Sequence, residues 1–187
     1  MTRLAMLSVH GCPLARLGER DTGGMNVYIL QVSKELGKQG YLVDIYTRCH
    51  DCDDPPISDV GSGVRVIHVK AGPYSTTKDS LYRYLPEFLG NLYAFQMEEG
   101  FDYDIVHSHY WLSGYAGLEL SSKWDVPHIM TFHTLAKIKM EARLGEMESS
   151  LRVSAESRLM ESVDSIVVST TQEREDLARL YGVTERK

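Results

Sequence analysis

The sequence predicts an α/β fold, a doubly wound and mostly parallel sheet in one domain. Short apolar runs alternate with longer segments of helical periodicity along the chain, as strands joined by crossover helices require. A length of 187 residues suits a single domain. Hydrophobic residues make up 43% of it, enough to cover both faces of such a sheet.

Each element has its own signal. Leu4 to Val9 is an apolar run closed by a Gly/Pro-containing stretch, a buried first strand. Val27, Ile29, Leu30, Val32 and Leu36 place most apolar groups of Met25–Lys38 on one helical face, and Gly40 stops that helix. Leu42–Tyr46 is a second strand. Residues 48–63, rich in Asp, Pro, Gly and Ser, read as a surface loop, and Val64–Val69 as a third strand. Asp79–Glu99 is helical, kinked or split by Pro86. A fourth strand starts at Ile105-Val106 and runs into His107; Leu112–Lys123 is helical. His128–Phe132, led in by Pro127, is a fifth strand. The charged, methionine-rich stretch 137–150 suits either a loop or a short helix. Leu151–Glu161 is a helix, Ser165–Val168 a sixth strand and Gln172–Tyr181 a last helix.

Composition narrows the partners. A net charge of −6 argues against nucleic acid or an anionic membrane as main partner, and leaves room for a local phosphate pocket. No run approaches the roughly 20 apolar residues of a membrane span, and the start reads directly into a strand with no signal peptide. Three cysteines, Cys12, Cys49 and Cys52, do not suggest a secreted disulfide framework, so a cytoplasmic location is the default expectation.

Sheets of this kind bind ligands beyond the carboxyl ends of their strands, which directs attention to residues 10–24, 48–55, 70–79, 107–113 and 133–150. Asp21-Thr22-Gly23-Gly24-Met25-Asn26 lies between the first strand and the first long helix. A glycine pair lets a ligand approach, and free N–H groups at a helix start favour phosphate. The same residues also suit a turn with Asp21 or Thr22 as helix cap. Neither the dinucleotide fingerprint GxGxxG nor the P-loop GxxxxGK[ST] is present. His10, His107, His109 and His133 all follow strands, so a parallel sheet gathers them at one end. His107 and His109 are expected on opposite faces of their strand, which speaks against a shared metal, and no metal is expected. Lys78 and Arg152 supply positive charge near strand ends, although either alone suits a solvated surface cation. Cys49-His50-Asp51-Cys52 has CxxC spacing without a second ligand pair in view, and reads as a loop carrying two thiols. The aromatic series Tyr82, Tyr84, Phe88, Tyr93 and Phe95 reads as packing, since no basic residues are interleaved for nucleic-acid stacking.

Taken in order, Gly-Gly-Met-Asn-Val-Tyr (23–28), Val-Asp-Ile-Tyr-Thr-Arg (43–48), His-Ser-His-Tyr-Trp-Leu-Ser-Gly (107–114) and His-Thr-Leu-Ala (133–136) resemble the N-terminal lobe of family-4 retaining glycosyltransferases. Within that family the likeness is greatest to the inositol-phosphate glycosyltransferases of mycothiol biosynthesis, and more distant to sucrose-phosphate and sucrose synthases. The resemblance covers essentially the whole chain. It implies one Rossmann-like lobe of a GT-B fold, with the nucleotide-sugar lobe absent from residues 1–187. It also implies transfer of a sugar from a nucleotide-diphosphate sugar co-substrate to a phosphorylated acceptor. By resemblance, His10, Asp21, Thr22, Gly23, Gly24, Met25, Asn26, Lys78, Tyr110, Thr134 and Arg152 would bind the acceptor. Gly23 would also touch the donor phosphate, and His133 would face the reacting sugar as the catalytic histidine. The lobe itself would need no cofactor. No pair of carboxylates flanking a cleft, as a hydrolase needs, is visible. A shorter, less acidic 137–150 and Gly11-Cys12 in place of small hydroxyl residues depart from the mycothiol enzymes, so a hexose phosphate or another polyol phosphate stays open as acceptor. A stand-alone sugar-phosphate or nucleotide binding module is the alternative reading.

Overall fold

A computed structural model describes residues 1–16, 22–142 and 147–184. In chain order these form β1 (Arg3–Leu7), α1 (Gly24–Lys38), β2 (Leu42–Arg48), β3 (Ile57–Gly61) and β4 (Val64–Val69). A 3₁₀ helix (Lys78–Tyr84), α2 (Leu85–Glu99), β5 (Ile105–His109), α3 (Tyr110–Trp124) and β6 (His128–Thr131) follow. The chain continues through α4 (Ala136–Ala142), α5 (Ser150–Ser162), β7 (Ser165–Ile166) and α6 (Thr171–Tyr181). The sheet order is β3-β4-β2-β1-β5-β6-β7. Every pairing is parallel except β3 with β4.

Strand alternation divides the core. Leu4 and Met6 of β1 face a cluster with Ile29 of α1 and Val43, Ile45, Val64 and Val66 of neighbouring strands. Ala5 and Leu7 belong to a larger cluster that takes in Phe88 and Leu92 of α2, Leu112 of α3 and Leu159 of α5. The period of two thus sends successive residues of one strand to helices on opposite faces, the doubly wound arrangement expected. Glycines let α3 settle close to the sheet: a Cβ on Gly117 would collide with Ser108 Oγ and His128 Nε2, and one on Gly114 with Leu159.

Two expectations change. Residues 48–63 are not all loop, because β3 pairs antiparallel with β4 and shifts register between Asp59 and Gly61. As an edge strand with alternately exposed residues it buries little, so no apolar run announces it. The predicted long helix is divided: Pro86 sits in the first turn of α2, where its missing N–H costs nothing, and the preceding residues take 3₁₀ form. Of the ambiguous stretch 137–150, α4 covers the beginning. No helix among the described residues is long and apolar enough to cross a membrane.

Candidate functional site

The chain leaves β1 outward in two directions, through β2 and β4 on one side and through β5, β6 and β7 on the other. Loops following β1 and β5 therefore part at the carboxyl edge, and a crevice opens there. Two depressions occupy it and share Lys78. One, of about 190 Å³, is lined by His10, Cys12, Thr22, Arg48, His50 and Thr76 among others. The other, of about 410 Å³, is lined by Asp79, Tyr110, Lys139, Glu148, Ser149 and Arg152.

Arg152 is the best-held cation of the site. It is 3% exposed, on the first turn of α5, whose cap is the Ser149 hydroxyl accepting from the Arg152 N–H. Its Nε donates to Glu156 Oε1 at 2.8 Å, Nη1 lies 3.1 Å from Glu148 Oε2, and Nη2 donates to Thr134 O and Oγ1 at 3.0 and 3.1 Å. Glu156 is fully buried; its other oxygen accepts from the Ala136 N–H and the Tyr181 hydroxyl. The surface-cation reading of Arg152 is thus replaced by that of a clamped, buried guanidinium. It lies 5.0 Å from the centroid of Tyr110, so Arg152, Thr134 and Tyr110 do come together. The neighbouring Glu148 carboxyl is held below its ordinary pKa: burial opposes ionisation, and Arg152 and Lys139 outweigh it.

The histidines converge, with one correction. His107 and His109 lie on the same face, ring centroids 4.3 Å apart, because residues i and i+2 of a strand point the same way. The expectation of opposite faces is overturned by that parity. His107 Nε2 meets Thr131 Oγ1 at 2.9 Å, and His109 Nδ1 meets His133 Nε2 at 2.9 Å. Tyr28 of α1 packs edge-on against His133. Burial depresses the pKa of His133 to about 4 and, with neighbouring His128 and His133, that of His107 to about 4. His10, against the Tyr110 ring at 4.4 Å, falls to about 3 through burial and then through Lys78, His133 and Arg152. All three rings are neutral at pH 7, so they offer hydrogen bonds and not fixed charge.

Backbone strain marks the same spot. His133 has φ 62°, and Thr134 N–H donates to Phe132 O, which closes a γ-turn after β6. Tyr110, the first residue of α3, has φ 72°. Two bulky residues in the left-handed region cost about 1–3 kcal/mol each; Tyr110 lines the larger depression, and the His133 ring packs against His109 and Tyr28.

The glycine pair opens α1. Gly23, at φ 177°, is extended and caps the helix through no side chain; a Cβ on Gly23 or Gly24 would meet no atom within 4 Å. Conformation therefore does not demand glycine there, and the bare surface over the helix start is what the pair provides. Met25 packs against both apolar clusters. Asn26 is buried, with its amide donating to Cys12 O at 2.8 Å, and so ties the first loop to α1. Asp21 lies outside the described residues. Sequence reasoning missed Glu148 and Glu156, although their i, i+4 spacing around Arg152 was a readable signal. It also gave no role to Arg48, whose buried Nη1 donates to Cys49 O and the Ala71 and Pro73 carbonyls, which fixes the wall of the smaller depression.

The chain is similar to several known proteins. The chain is 44% identical over 185 residues to a D-inositol 3-phosphate glycosyltransferase of Xylanimonas cellulosilytica, covering 96% of the chain and 44% of that protein. It is 43% identical to the enzyme of the same name from Kineococcus radiotolerans, over 99% of the chain and 43% of the relative. The chain therefore spans less than half the length of these curated relatives. Among solved structures, sucrose-phosphate synthase from Thermosynechococcus elongatus matches with a TM-score of 0.89 and 31% identity, over 97% of the chain and 45% of the synthase. The catalytic domain of starch synthase IV from Arabidopsis thaliana, at 16% identity and a TM-score of 0.63, shares the fold. The family model of the glycosyl transferase 4-like domain matches residues 23–187, and the chain belongs to that family.

Proposed function

We propose that the chain is the acceptor-side lobe of a retaining glycosyltransferase, which moves a sugar from a nucleotide-diphosphate sugar to a phosphorylated polyol or sugar. The observation that carries this reading is the meeting of Lys78, Arg152, Thr134 and Tyr110 in one crevice. Two cations and two hydroxyls match the three oxygens of a phosphate monoester. Arg152 is pre-oriented by Glu156, so little side-chain freedom is lost when a phosphate arrives. The likeness to enzymes named for inositol 3-phosphate makes that acceptor the first to try.

The rest of the crevice follows. The uncapped start of α1, with Gly23 and Gly24, presents N–H groups and the positive helix end to an anion, and on this reading that anion is the donor's diphosphate. His133 faces the transferred sugar as a neutral hydrogen-bonding group, its ring held by His109. The acceptor hydroxyl then attacks on the face from which the nucleotide leaves, and the departing diphosphate takes its proton. The protein supplies orientation and electrostatics. A second lobe, outside residues 1–187, would hold the nucleotide. Three unpaired cysteines suit a reducing compartment, the cytoplasm.

The test is calorimetric titration of the domain with inositol 3-phosphate, fructose 6-phosphate, glucose 6-phosphate and a nucleotide-diphosphate sugar. Saturable binding of one phosphorylated acceptor, weakened about tenfold or more by Lys78→Ala, is expected for the loss of a charge-assisted hydrogen bond. Acceptor affinity unchanged in Lys78→Ala would reject the assignment of the phosphate site.

A further inference from the structure

A second constellation, of which Cys12 and His50 line the smaller depression, has no role in the transfer proposed above. Cys12 comes from the loop after β1, His50 from the loop after β2 and His68 from β4. One ligand atom from each lies within 4.8 Å of the others. Cys12 Sγ and His68 Nε2 are 3.2 Å apart, close to the roughly 3.5 Å between sulfur and nitrogen in a tetrahedral zinc shell with ordinary bond lengths.

The surroundings have the character of an outer shell. His68 Nδ1 meets the Pro55 carbonyl at 2.7 Å, which makes it the protonated nitrogen and leaves Nε2 with a lone pair aimed at the thiol. His50 Nδ1 lies 2.8 Å from Asp54 Oδ2, and Asp54 is itself fixed by the backbone N–H groups of His50 and Asp51. Cys12 Sγ accepts the Leu14 N–H at 3.4 Å, a contact that supports a thiolate. A histidine oriented through its second nitrogen by a carbonyl, as His68 is, is the usual company of a bound metal. Cys12 and His68 are buried and His50 is half-buried, so one side stays open toward the depression.

We propose that Cys12, His50 and His68 bind a zinc ion, with water as fourth ligand. One thiolate and two imidazoles suit zinc by softness and by count. On binding, zinc would take the place of the Cys12 thiol proton. The ion would clasp the loops after β1 and β2 to β4 and stiffen the wall that carries His10 and Arg48. CxxC spacing alone hid this site: Cys49 and Cys52 are not among its ligands, and the completing groups lie 38 residues before and 18 after His50 in the chain.

Metal-stripped protein titrated with cobalt(II) should show a thiolate-to-cobalt charge-transfer band that saturates at one equivalent, and zinc should displace it. Cys12→Ser should abolish the band, while Cys49→Ser and Cys52→Ser keep it. His50→Gln, at a half-exposed position, should weaken zinc binding while leaving the near-ultraviolet circular dichroism of the fold unchanged. Absence of the band in the parent protein, its persistence in Cys12→Ser, its loss in Cys52→Ser, or equal zinc affinity in His50→Gln would each overturn the proposal.

Discussion

Arg152 shows how much one residue's meaning depends on its neighbours. A guanidinium 3% exposed is tolerable only with its charge matched, and Glu156, buried behind it, is the partner that cannot be replaced by water. Glu156→Ala leaves that charge with only the more exposed Glu148 as carboxylate partner and also deprives the Ala136 N–H and the Tyr181 hydroxyl of an acceptor. It should cost about 3–5 kcal/mol in urea unfolding, whereas Glu156→Gln, which keeps an acceptor oxygen, should cost less. A loss of under about 0.5 kcal/mol, the usual scale of a surface change, would contradict the clamp. Lys78 and Arg152 are legible in the sequence as cations near strand ends, whereas Tyr110 and Thr134 enter only through the family resemblance. What the sequence withheld was burial. Charge is visible in a letter, but the desolvation that makes charge consequential depends on α5 lying against the β6 loop.

At the level of elements, α3 is the helix most tightly set against the sheet. Gly117 leaves room for the hydrogen bond between His128 Nε2 and Ser108 Oγ, at 2.8 Å, directly beneath it. Gly117→Ala gains helix propensity on paper, yet overpacking should dominate and destabilise by about 1–3 kcal/mol, measurable as a lower thermal midpoint. A stabilised variant would show that the layers can separate at little cost. Elements with strong apolar periodicity, β1, α1 and β4, were readable to within a residue or two. Strand β3 was not, because a polar edge strand is specified by its partner and not by its own composition. The 107–109 pair was misassigned against the strand period of two, which by itself places both rings on one face.

For the molecule as a whole, the buried imidazoles set a lower pH limit. His107 and His128 have pKa values of about 4 in the folded state, depressed mainly by burial, against about 6.5 when unfolded. The unfolded chain binds more protons between those values, so stability is complete above pH 6.5 and falls as pH drops toward 4. Each of these two buried groups contributes about 1.4 kcal/mol per pH unit in the middle of that window. Thermal midpoints recorded from pH 7 to 4.5 should decline steadily, and His107→Gln should flatten the decline. A level profile would mean that the rings are protonated in place. The same neutrality keeps the crevice's fixed positive charge on Lys78, Lys139 and Arg152.

The antiparallel strand β3 has an effect beyond its own length. A parallel sheet ending at β4 would present a flat, aliphatic row of open N–H and C=O groups, a template for cross-molecule strand addition. Instead the margin is a short segment, Ile-Ser-Asp-Val-Gly, with the charged Asp59 exposed and a register shift between Asp59 and Gly61 that interrupts any continuing ladder. At the opposite margin β7 is two residues long. Both borders of the sheet are thus poor seeds for fibrous growth, and β3, which adds little to the interior, insulates one chain from the next.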